Sequence, residues 1–345
     1  MDRHNLEAQL GTIKVPIVHI PWAGDSADVL LLEASMLDWA DQKGLLVDVA
    51  YRERVKRSRY AWLAARCHPK AAPELLSVIS KFFVWLFVVD DLFLDRVDIV
   101  TPNTLSNLTA IINVVNFNCA RPEPVYGELA LLDICQSLRQ LLSAEHFERF
   151  AQGIKLWATT AGLGILYHLQ ERPVGVSQYE SIRRHTSGVE SCLALADASN
   201  CGPISSDEFY RLNVQELRRY TNNIVCLAND IHSSIVESRQ PGHFWNMVHI
   251  RAADGYTLQE SLDHTVASVY EELERFQKLE HHILQDATPQ LCGLVNGCKQ
   301  WIRGYVDWVA LDTKRYQAAY AVGDADDRNV LHARHMRALF ATPSG

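Results

Sequence analysis

KFFVWLFVVDDLFLD, residues 81–95, is a nearly continuous apolar run that leads directly into Asp90, Asp91 and Asp95. Acidic groups next to an apolar helix face are costly unless something pairs with them. Hard divalent cations such as Mg²⁺ take oxygen ligands, and one or two carboxylates suffice when phosphate and water complete the shell. The run therefore predicts a helix that ends in a magnesium-binding rim. A solvated acidic helix end is the alternative for this stretch alone.

Two aromatic residues of the same run, Phe83 and Phe87, precede the aspartates at helical spacing. Residues three, four, seven and eight apart share one face of a helix, so these rings lie below the carboxylates. Ring faces attract cations without supplying a nucleophile. We therefore expect Phe83 and Phe87 to line an apolar pocket, with ordinary core packing as the alternative.

Helical periodicity of apolar residues extends over most of the chain, while alternating strand patterns are scarce. Prolines separate or begin these tracts, as expected of residues that cannot extend a helix from within. We predict an all-α protein with one domain over residues 1–345, an N-terminal strap to about residue 25 and a mobile tail from about residue 320. The predicted helices cover residues 27–43, 50–66, 74–95, 124–140, 144–170, 177–199, 206–238, 256–284 and 288–313.

A second polar motif, NDIHSSIVE, places Asn229, Ser233 and Glu237 at positions i, i+4 and i+8 of a helical tract. That spacing puts three oxygen ligands on one stripe, spread over about 12 Å of helix axis. Ser234 would point to a different side. The stripe predicts a second half of the metal site, and a chance polar stripe on an exposed face is the alternative.

Basic residues occur in two short segments, RRHTSG with Arg183 and Arg184, and KRY with Arg315 and Tyr316. Arginine presents a planar fork of donors that suits phosphate oxygens, and a tyrosine hydroxyl can donate one more hydrogen bond. These groups could supply a local positive field in an acidic protein. Ordinary surface arginines are the alternative for each segment alone.

The 345 residues carry a formal net charge of −8 and eight cysteines without metal-like or redox-like spacing. Nucleic acid and anionic membrane surfaces are therefore not expected partners, since both require clustered Lys and Arg. No apolar run is long enough to span a bilayer, and the N-terminus does not resemble a signal peptide. We expect a cytoplasmic monomer or homodimer with free thiols.

Taken together, these segments resemble the microbial class I terpene synthases, the family of bacterial and fungal sesquiterpene cyclases. In that family an aspartate-rich motif ends one helix and a motif written (N/D)Dxx(S/T)xxxE follows about 140 residues later, as Asp90 and Asn229 do here. The family's diphosphate-sensing arginine lies about 46 residues before the second motif, and Arg184 lies 45 before Asn229. Gly188 matches the position of a bent helix whose carbonyl turns toward the substrate.

The resemblance implies the class I isoprenoid synthase fold, a helical bundle around a central apolar cavity, and loss of diphosphate from a linear isoprenyl diphosphate, most often farnesyl diphosphate. Three Mg²⁺ ions, or Mn²⁺ in their place, are implied. The implied metal ligands are Asp90, Asp95, Asn229, Ser233 and Glu237. The implied diphosphate-binding residues are Arg184, Asn229, Arg315 and Tyr316. The implied catalytic residues are Asp90, Asp91, Arg184 and Gly188, with Asp91 paired to an arginine. Trp308 is the implied third pocket aromatic.

Three departures separate the chain from the family pattern. Val236 stands where many relatives have a lysine, the acidic motif reads DDxxxD, and Trp308 lies seven residues before Arg315, one more than usual. A chain-elongating isoprenyl diphosphate synthase and a noncatalytic isoprenoid-binding protein of the same fold are the alternatives. The motifs do not specify the product or the length of the substrate.

Overall fold

The computed structural model describes residues 13–91, 102–169, 174–238 and 245–316. Within these ranges the regular structure is helical and no β-strand forms, which confirms the all-α prediction. The helices are α1 Leu30–Gln42, α2 Val49–Ser58, α3 Tyr60–Cys67, α4 Pro73–Val89, α5 Pro102–Phe117, α6 Glu128–Leu141, α7 Ala144–Leu169, α8 Val176–Thr186, α9 Val189–Leu193, α10 Ser206–Phe209, α11 Leu212–Glu237, α12 Met247–Ala253, α13 Leu258–Ile283 and α14 Pro289–Asp307, followed by a π-helical turn, Trp308–Asp312.

Helix α4 lies in the middle of the bundle, against α1, α3 and α6. Because other helices surround it, α4 is apolar on nearly all sides. Its side chains Phe82, Phe83 and Trp85 are almost completely buried. Helix α11 packs between α13 and α14. One contiguous apolar core includes side chains from α1 to α14.

Three predicted helices are each divided in the structure. The tract 206–238 forms α10 and α11, with Tyr210 and Arg211 between them. The tract 50–66 breaks at Arg59, which adopts a left-handed φ of 58° between α2 and α3. The tract 177–199 breaks between α8 and α9 at Gly188. Its φ of 71° is accessible because glycine has no β-carbon that would clash in this left-handed conformation. Apolar periodicity continues across the breaks at Arg59 and Gly188, so the pattern alone predicts unbroken helices there.

Two helices were not predicted, α5 and α12. Helix α5 begins at Pro102, a residue that suits the first turn, but its many Asn and β-branched residues have low helix propensity. Packing against α6 and α7 compensates for that propensity. Helix α12 has only seven residues, too few for a periodic pattern to stand out.

The described part of the N-terminal strap lies against α13 and α14. The backbone N–H of Lys14 donates to Gln259 at 3.0 Å, and that of His19 to Tyr270 at 3.1 Å. The guanidinium of Arg303 donates to the carbonyl groups of Ile20 and Trp22. The predicted tail lies outside the described residues. None of the described helices is both long enough and apolar enough to span a bilayer.

Candidate active site

A cavity lies at the centre of the bundle, where α4, the α8–α9 break, α11 and α14 meet. Its volume is 80 Å³, below the several hundred cubic ångströms of typical ligand sites, so lining side chains must separate to admit an isoprenyl chain. Its lining residues are Leu63, Phe83, Leu86, Phe87, Asp90, Arg183, Ser187, Val189, Cys192, Val225, Cys226, Asn229, Trp301, Tyr305, Arg315 and Tyr316. The cavity is thus apolar below and polar at one end.

Helix α4 supplies the first half of this polar end. Phe83 and Phe87 line the cavity one turn apart, and Asp90 lines it at the helix terminus, as the helical spacing predicts. Asp90 and Asp91 continue the helix as a π-helical turn. Asp95, the third residue of the acidic motif, lies outside the described residues.

Helix α11 carries the second motif. Asn229 lines the cavity, and Ser233 and Glu237 follow it by one and two turns along the same helix. The amide nitrogen of Asn246 lies 3.3 Å from Ser233 Oγ and 2.7 Å from Glu237 Oε2, so these two side chains face the same neighbour. Ser234 instead donates to the carbonyl of Ile231 within the helix at 2.9 Å, as expected of a residue on another side.

The structure separates the two adjacent arginines of α8. Arg183 lines the cavity and donates to Asn229 Oδ1 at 2.7 Å and to Asp230 Oδ1 at 2.9 Å. Arg184, the residue chosen from the sequence, is absent from the lining and donates its Nε to the carbonyl of Glu180 at 2.8 Å. It borders an outer groove of 680 Å³ between α7, α8, α10 and α11, which holds no residue of either acidic motif.

Asp230 lies completely buried behind Asn229 and holds Arg183 in place. Burial raises the pKa of the Asp230 carboxyl to about 6. Arg183, the hydroxyl of Tyr179 and the backbone N–H of Met247 all stabilise its charged form. Burial by itself would lower the pKa of Arg183, but the negative charge of Asp230 raises it well above the usual value. Arg183 is therefore a fixed positive charge at the cavity.

A second ion pair, which is largely buried, joins the end of α4 to the C-terminal segment beside the cavity. Arg315 and Asp91 form a bidentate contact, with one N–H···O distance of 2.8 Å, and Arg315 also donates to the hydroxyl of Tyr60 at 3.1 Å. This is the arginine partner that the sequence analysis expected for Asp91. Tyr316 accepts a hydrogen bond of 2.9 Å from the Asn229 amide, which joins the C-terminal segment to α11.

Gly188 allows the chain to turn sharply beside the cavity. A β-carbon at this position would lie 2.8 Å from Leu86 Cδ2, inside the distance that real side chains tolerate. The Gly188 carbonyl accepts hydrogen bonds from Ser191 at 2.7 Å and from the backbone N–H of Cys192 at 3.4 Å. Both φ and packing therefore favour a glycine at this helix break.

Comparison with known proteins agrees with this arrangement. Residues 81–275 match the family described as terpene synthase family 2, C-terminal metal binding. A sesquiterpene synthase of Metarhizium brunneum is 54% identical over 329 residues, which cover 95% of this chain and 96% of that protein. The chain belongs to the terpene synthase family. A Kitasatospora setae corvol ether synthase that cyclises (2E,6E)-farnesyl diphosphate is 45% identical to this terpene synthase over 92% of the chain and 99% of that protein.

Solved structures show the same fold. The linalool/nerolidol synthase of Streptomyces clavuligerus matches with a TM-score of 0.76 at 19% identity, covering 84% of this chain and 99% of that one. An α-eudesmol synthase matches with a TM-score of 0.72 at 18% identity over 86% of this chain and 99% of that one. This terpene synthase therefore has the class I isoprenoid synthase fold, as predicted.

The matched family is metal-binding, and the side chains of this terpene synthase suit a hard cation. The amide of Asn229, the hydroxyl of Ser233 and the carboxylate of Glu237 are oxygen ligands on one helix stripe, and Asp90 lies across the cavity from Asn229. The Arg183 guanidinium already contacts Asn229 Oδ1, which shows that this oxygen faces positive charge. In the described part of the chain no three His, Cys, Asp or Glu side chains form a cluster that could hold a metal ion.

Trp308 does not line the cavity of this terpene synthase. Its indole N–H donates to the carbonyls of Ser58 and Arg59 at 3.1 and 2.9 Å, at the break between α2 and α3. The extra residue between Trp308 and Arg315 is accommodated in the π-helical turn, in which the N–H of Thr313 bonds to the Trp308 carbonyl five residues back. Trp308 is therefore a packing residue behind Phe87.

The structure adds cavity residues that the sequence analysis missed. Trp301 and Tyr305 lie four residues apart on α14, and their shared face is a pattern that could have been noticed. Arg183 could have been found too, since it lies 46 residues before Asn229, the family spacing. Val236 is buried and does not line the cavity, so α11 supplies no cation at that position.

Proposed function

We propose that this terpene synthase ionises farnesyl diphosphate with the help of three Mg²⁺ ions and cyclises the resulting cation to a sesquiterpene. The observation that carries the proposal is the meeting of Asp90, Asn229, Arg183 and Arg315 at the polar end of an otherwise apolar cavity. The C15 substrate is supported by relatives named sesquiterpene synthases at 49–54% identity and by the farnesyl diphosphate-cyclising relative.

The proposed metal ligands are Asp90, Asp95, Asn229, Ser233 and Glu237. When bound there, Mg²⁺ would supply Lewis-acid stabilisation of the leaving diphosphate, and Mn²⁺ could replace it. Asn229 Oδ1 accepts a hydrogen bond from Arg183, so the guanidinium lies beside one of the proposed metal ligands.

The proposed diphosphate-binding groups are Arg183, Arg315, Tyr316 and Asn229. Arg183 replaces Arg184 in this role because only Arg183 faces the cavity. Its guanidinium is held by Asp230, and that of Arg315 by Asp91, so both forks are oriented before substrate arrives. Two fixed arginines can compensate for the lysine that Val236 replaces.

The apolar part of the cavity would hold the isoprenyl chain after ionisation. An allylic cation is quenched by water, and the rings of Phe83, Phe87 and Trp301 can stabilise it through their faces without attacking it. The Tyr305 hydroxyl accepts a hydrogen bond of 3.0 Å from Asn229, which places one polar group at the boundary between chain and diphosphate.

A noncatalytic isoprenoid-binding protein and a chain-elongating synthase are the competing functions. The intact second motif and the family match to terpene synthases favour cyclisation over chain elongation. We expect the enzyme in the cytoplasm, where the buried thiols of Cys192 and Cys226 would stay reduced.

Purified protein incubated with geranyl, farnesyl or geranylgeranyl diphosphate and Mg²⁺ tests the proposal. We expect diphosphate release and cyclic C15 hydrocarbon or alcohol with farnesyl diphosphate, and no turnover after chelation. Glu237→Gln removes a proposed ligand charge and should reduce turnover roughly 100-fold or more, as loss of one electrostatic group commonly does.

Glu274→Gln is the matched control, because Glu274 is exposed and pairs only with exposed Lys278 at 3.6 Å among the described residues. Its turnover should equal that of the wild type. Absence of turnover with all three substrates would refute the enzyme proposal. Elongated linear diphosphates would indicate the chain-elongating function instead.

A further inference from the structure

Asn246, the residue directly before α12, contacts α11 at three points. Its Nδ2 lies 3.3 Å from Ser233 Oγ, 2.7 Å from Glu237 Oε2 and 3.0 Å from the main-chain oxygen of Asp230. The residue is completely buried. We propose that Asn246 is a positioning residue that presets Ser233 and Glu237 for the divalent cation, an inference that depends on the proposed function.

The orientation of the Asn246 amide follows from the start of α12. The backbone N–H of Val248 donates to Asn246 Oδ1 at 2.9 Å. A backbone N–H can only donate, so the amide oxygen must face α12 and the NH₂ group must face α11. The helix cap therefore determines which end of the amide meets Glu237.

This arrangement makes Asn246 a partner of the ligands and not a ligand itself. An amide NH₂ group has no lone pair to offer a cation, and the amide oxygen is used in the cap. A carboxylate accepts at both oxygens, so one N–H on Glu237 Oε2 orients the group and leaves capacity for a metal. Glutamate has three rotatable bonds, and fixing them beforehand removes an ordering cost from cation binding.

Neighbouring contacts hold α12 on α11 without Asn246. The backbone N–H of Met247 donates to Asp230 Oδ2 at 2.7 Å, and a ring nitrogen of His249 lies 3.0 Å from the Ser234 carbonyl. Loss of the Asn246 side chain should therefore remove this restraint on Ser233 and Glu237 while α12 stays in place. Removal of such a partner of metal ligands typically weakens metal binding 10- to 100-fold.

The test measures Mn²⁺ binding in the presence of inorganic diphosphate, by electron paramagnetic resonance, for wild type and Asn246→Ala. We expect binding to weaken roughly 10- to 100-fold. The Mg²⁺ concentration for half-maximal turnover should rise by a similar factor, while the rate at saturating Mg²⁺ changes much less. Asn223→Ala is the matched control, since it removes an Asn–Glu hydrogen bond of 2.8 Å from α11 to Glu272 on α13 and should leave Mn²⁺ binding unchanged.

If Asn246→Ala does not fold, Asn246→Ser serves instead. A serine hydroxyl can accept the Val248 N–H as a helix cap but is too short to reach both ligands, so the same weakening is expected. Unchanged Mn²⁺ affinity in a folded variant, accompanied only by a lower Tm, would overturn the inference. Failure of the wild type to bind Mn²⁺ with diphosphate would instead overturn the proposed function, and this inference with it.

Discussion

Separate substitution of the two adjacent arginines of α8 distinguishes the cavity residue, Arg183, from its neighbour, Arg184. Arg183→Gln removes the guanidinium that contacts Asn229 at 2.7 Å and Asp230 at 2.9 and 3.2 Å. Asp230 is completely buried, and loss of one partner of a buried ion pair costs about 3–5 kcal/mol of unfolding free energy. Arg184→Gln removes one hydrogen bond to a carbonyl of its own helix and should change stability by less than about 0.5 kcal/mol.

Turnover should separate the two variants further. Loss of one oriented donor to a developing negative charge costs about 10²–10³-fold in rate, so Arg183→Gln should lose at least that factor with farnesyl diphosphate. Arg184→Gln should retain nearly full activity.

Arg183→Lys covers the case in which the glutamine variant does not fold. It keeps the charge but not the planar fork, so we expect a folded protein with reduced kcat. Diphosphate release assayed beside urea denaturation measures both effects. Greater loss of activity in Arg184→Gln than in Arg183→Gln would refute the assignment.

Three further predictions concern residues around the cavity. Burial lowers the pKa of His68 from 6.5 to about 3, so the imidazole stays neutral in the folded protein but gains a proton in the unfolded chain. The free energy of unfolding should therefore fall by about 2 kcal/mol between pH 7 and pH 5. In urea denaturation, His68→Gln should show a correspondingly smaller fall, and an equal fall would count against burial as the cause. Gly188→Ala should lower the free energy of unfolding by about 2–4 kcal/mol, from the left-handed φ and the Leu86 contact together. The loss should exceed that of Gly202→Ala, because the φ of Gly202 is 87° but a β-carbon there would meet no atom within 4 Å. Equal losses would mean that Leu86 moves aside. Asp91→Asn should lower the free energy of unfolding by about 3 kcal/mol or more, because it leaves the buried Arg315 charge without its carboxylate. The double variant Asp91→Asn with Arg315→Met should regain part of that loss in the same measurement. No recovery would show that the ion pair is not the source of the loss.

Local helical periodicity accounts for the positions of several residues that line the cavity. Phe83, Phe87 and Asp90 share a face of α4 because helical spacing places them there, and Asn229 reaches the cavity for the same reason on α11. Such spacing is independent of what packs around the helix, so an unaligned sequence suffices to find it.

The choice between Arg183 and Arg184 could not be made from the sequence by chemistry alone. Adjacent helical residues point about 100° apart, and which of them faces the cavity depends on how α8 rolls against α11. That roll is fixed by the contact of Arg183 with Asp230, 47 residues later in the chain. Tertiary contacts of this kind leave no mark in the local pattern.

Asn246 and Trp308 show a similar limit. Asn246 gains its role from reaching back across the fold to Glu237, and nothing in its own neighbourhood resembles a motif. Trp308 is an aromatic residue within one position of the family spacing, but its N–H donates to the carbonyl of Arg59, whose left-handed conformation the sequence does not predict. Both positions are determined by contacts with residues that are distant in the sequence.

A crystal structure of the protein with Mg²⁺ and inorganic diphosphate tests the central claim most directly. The account predicts Mg²⁺ at about 2.0–2.1 Å from oxygens of Asn229, Ser233 and Glu237, with the diphosphate bound between these ions and the guanidinium groups of Arg183 and Arg315. Diphosphate in the outer groove beside Arg184, with no cation on α11, would contradict it.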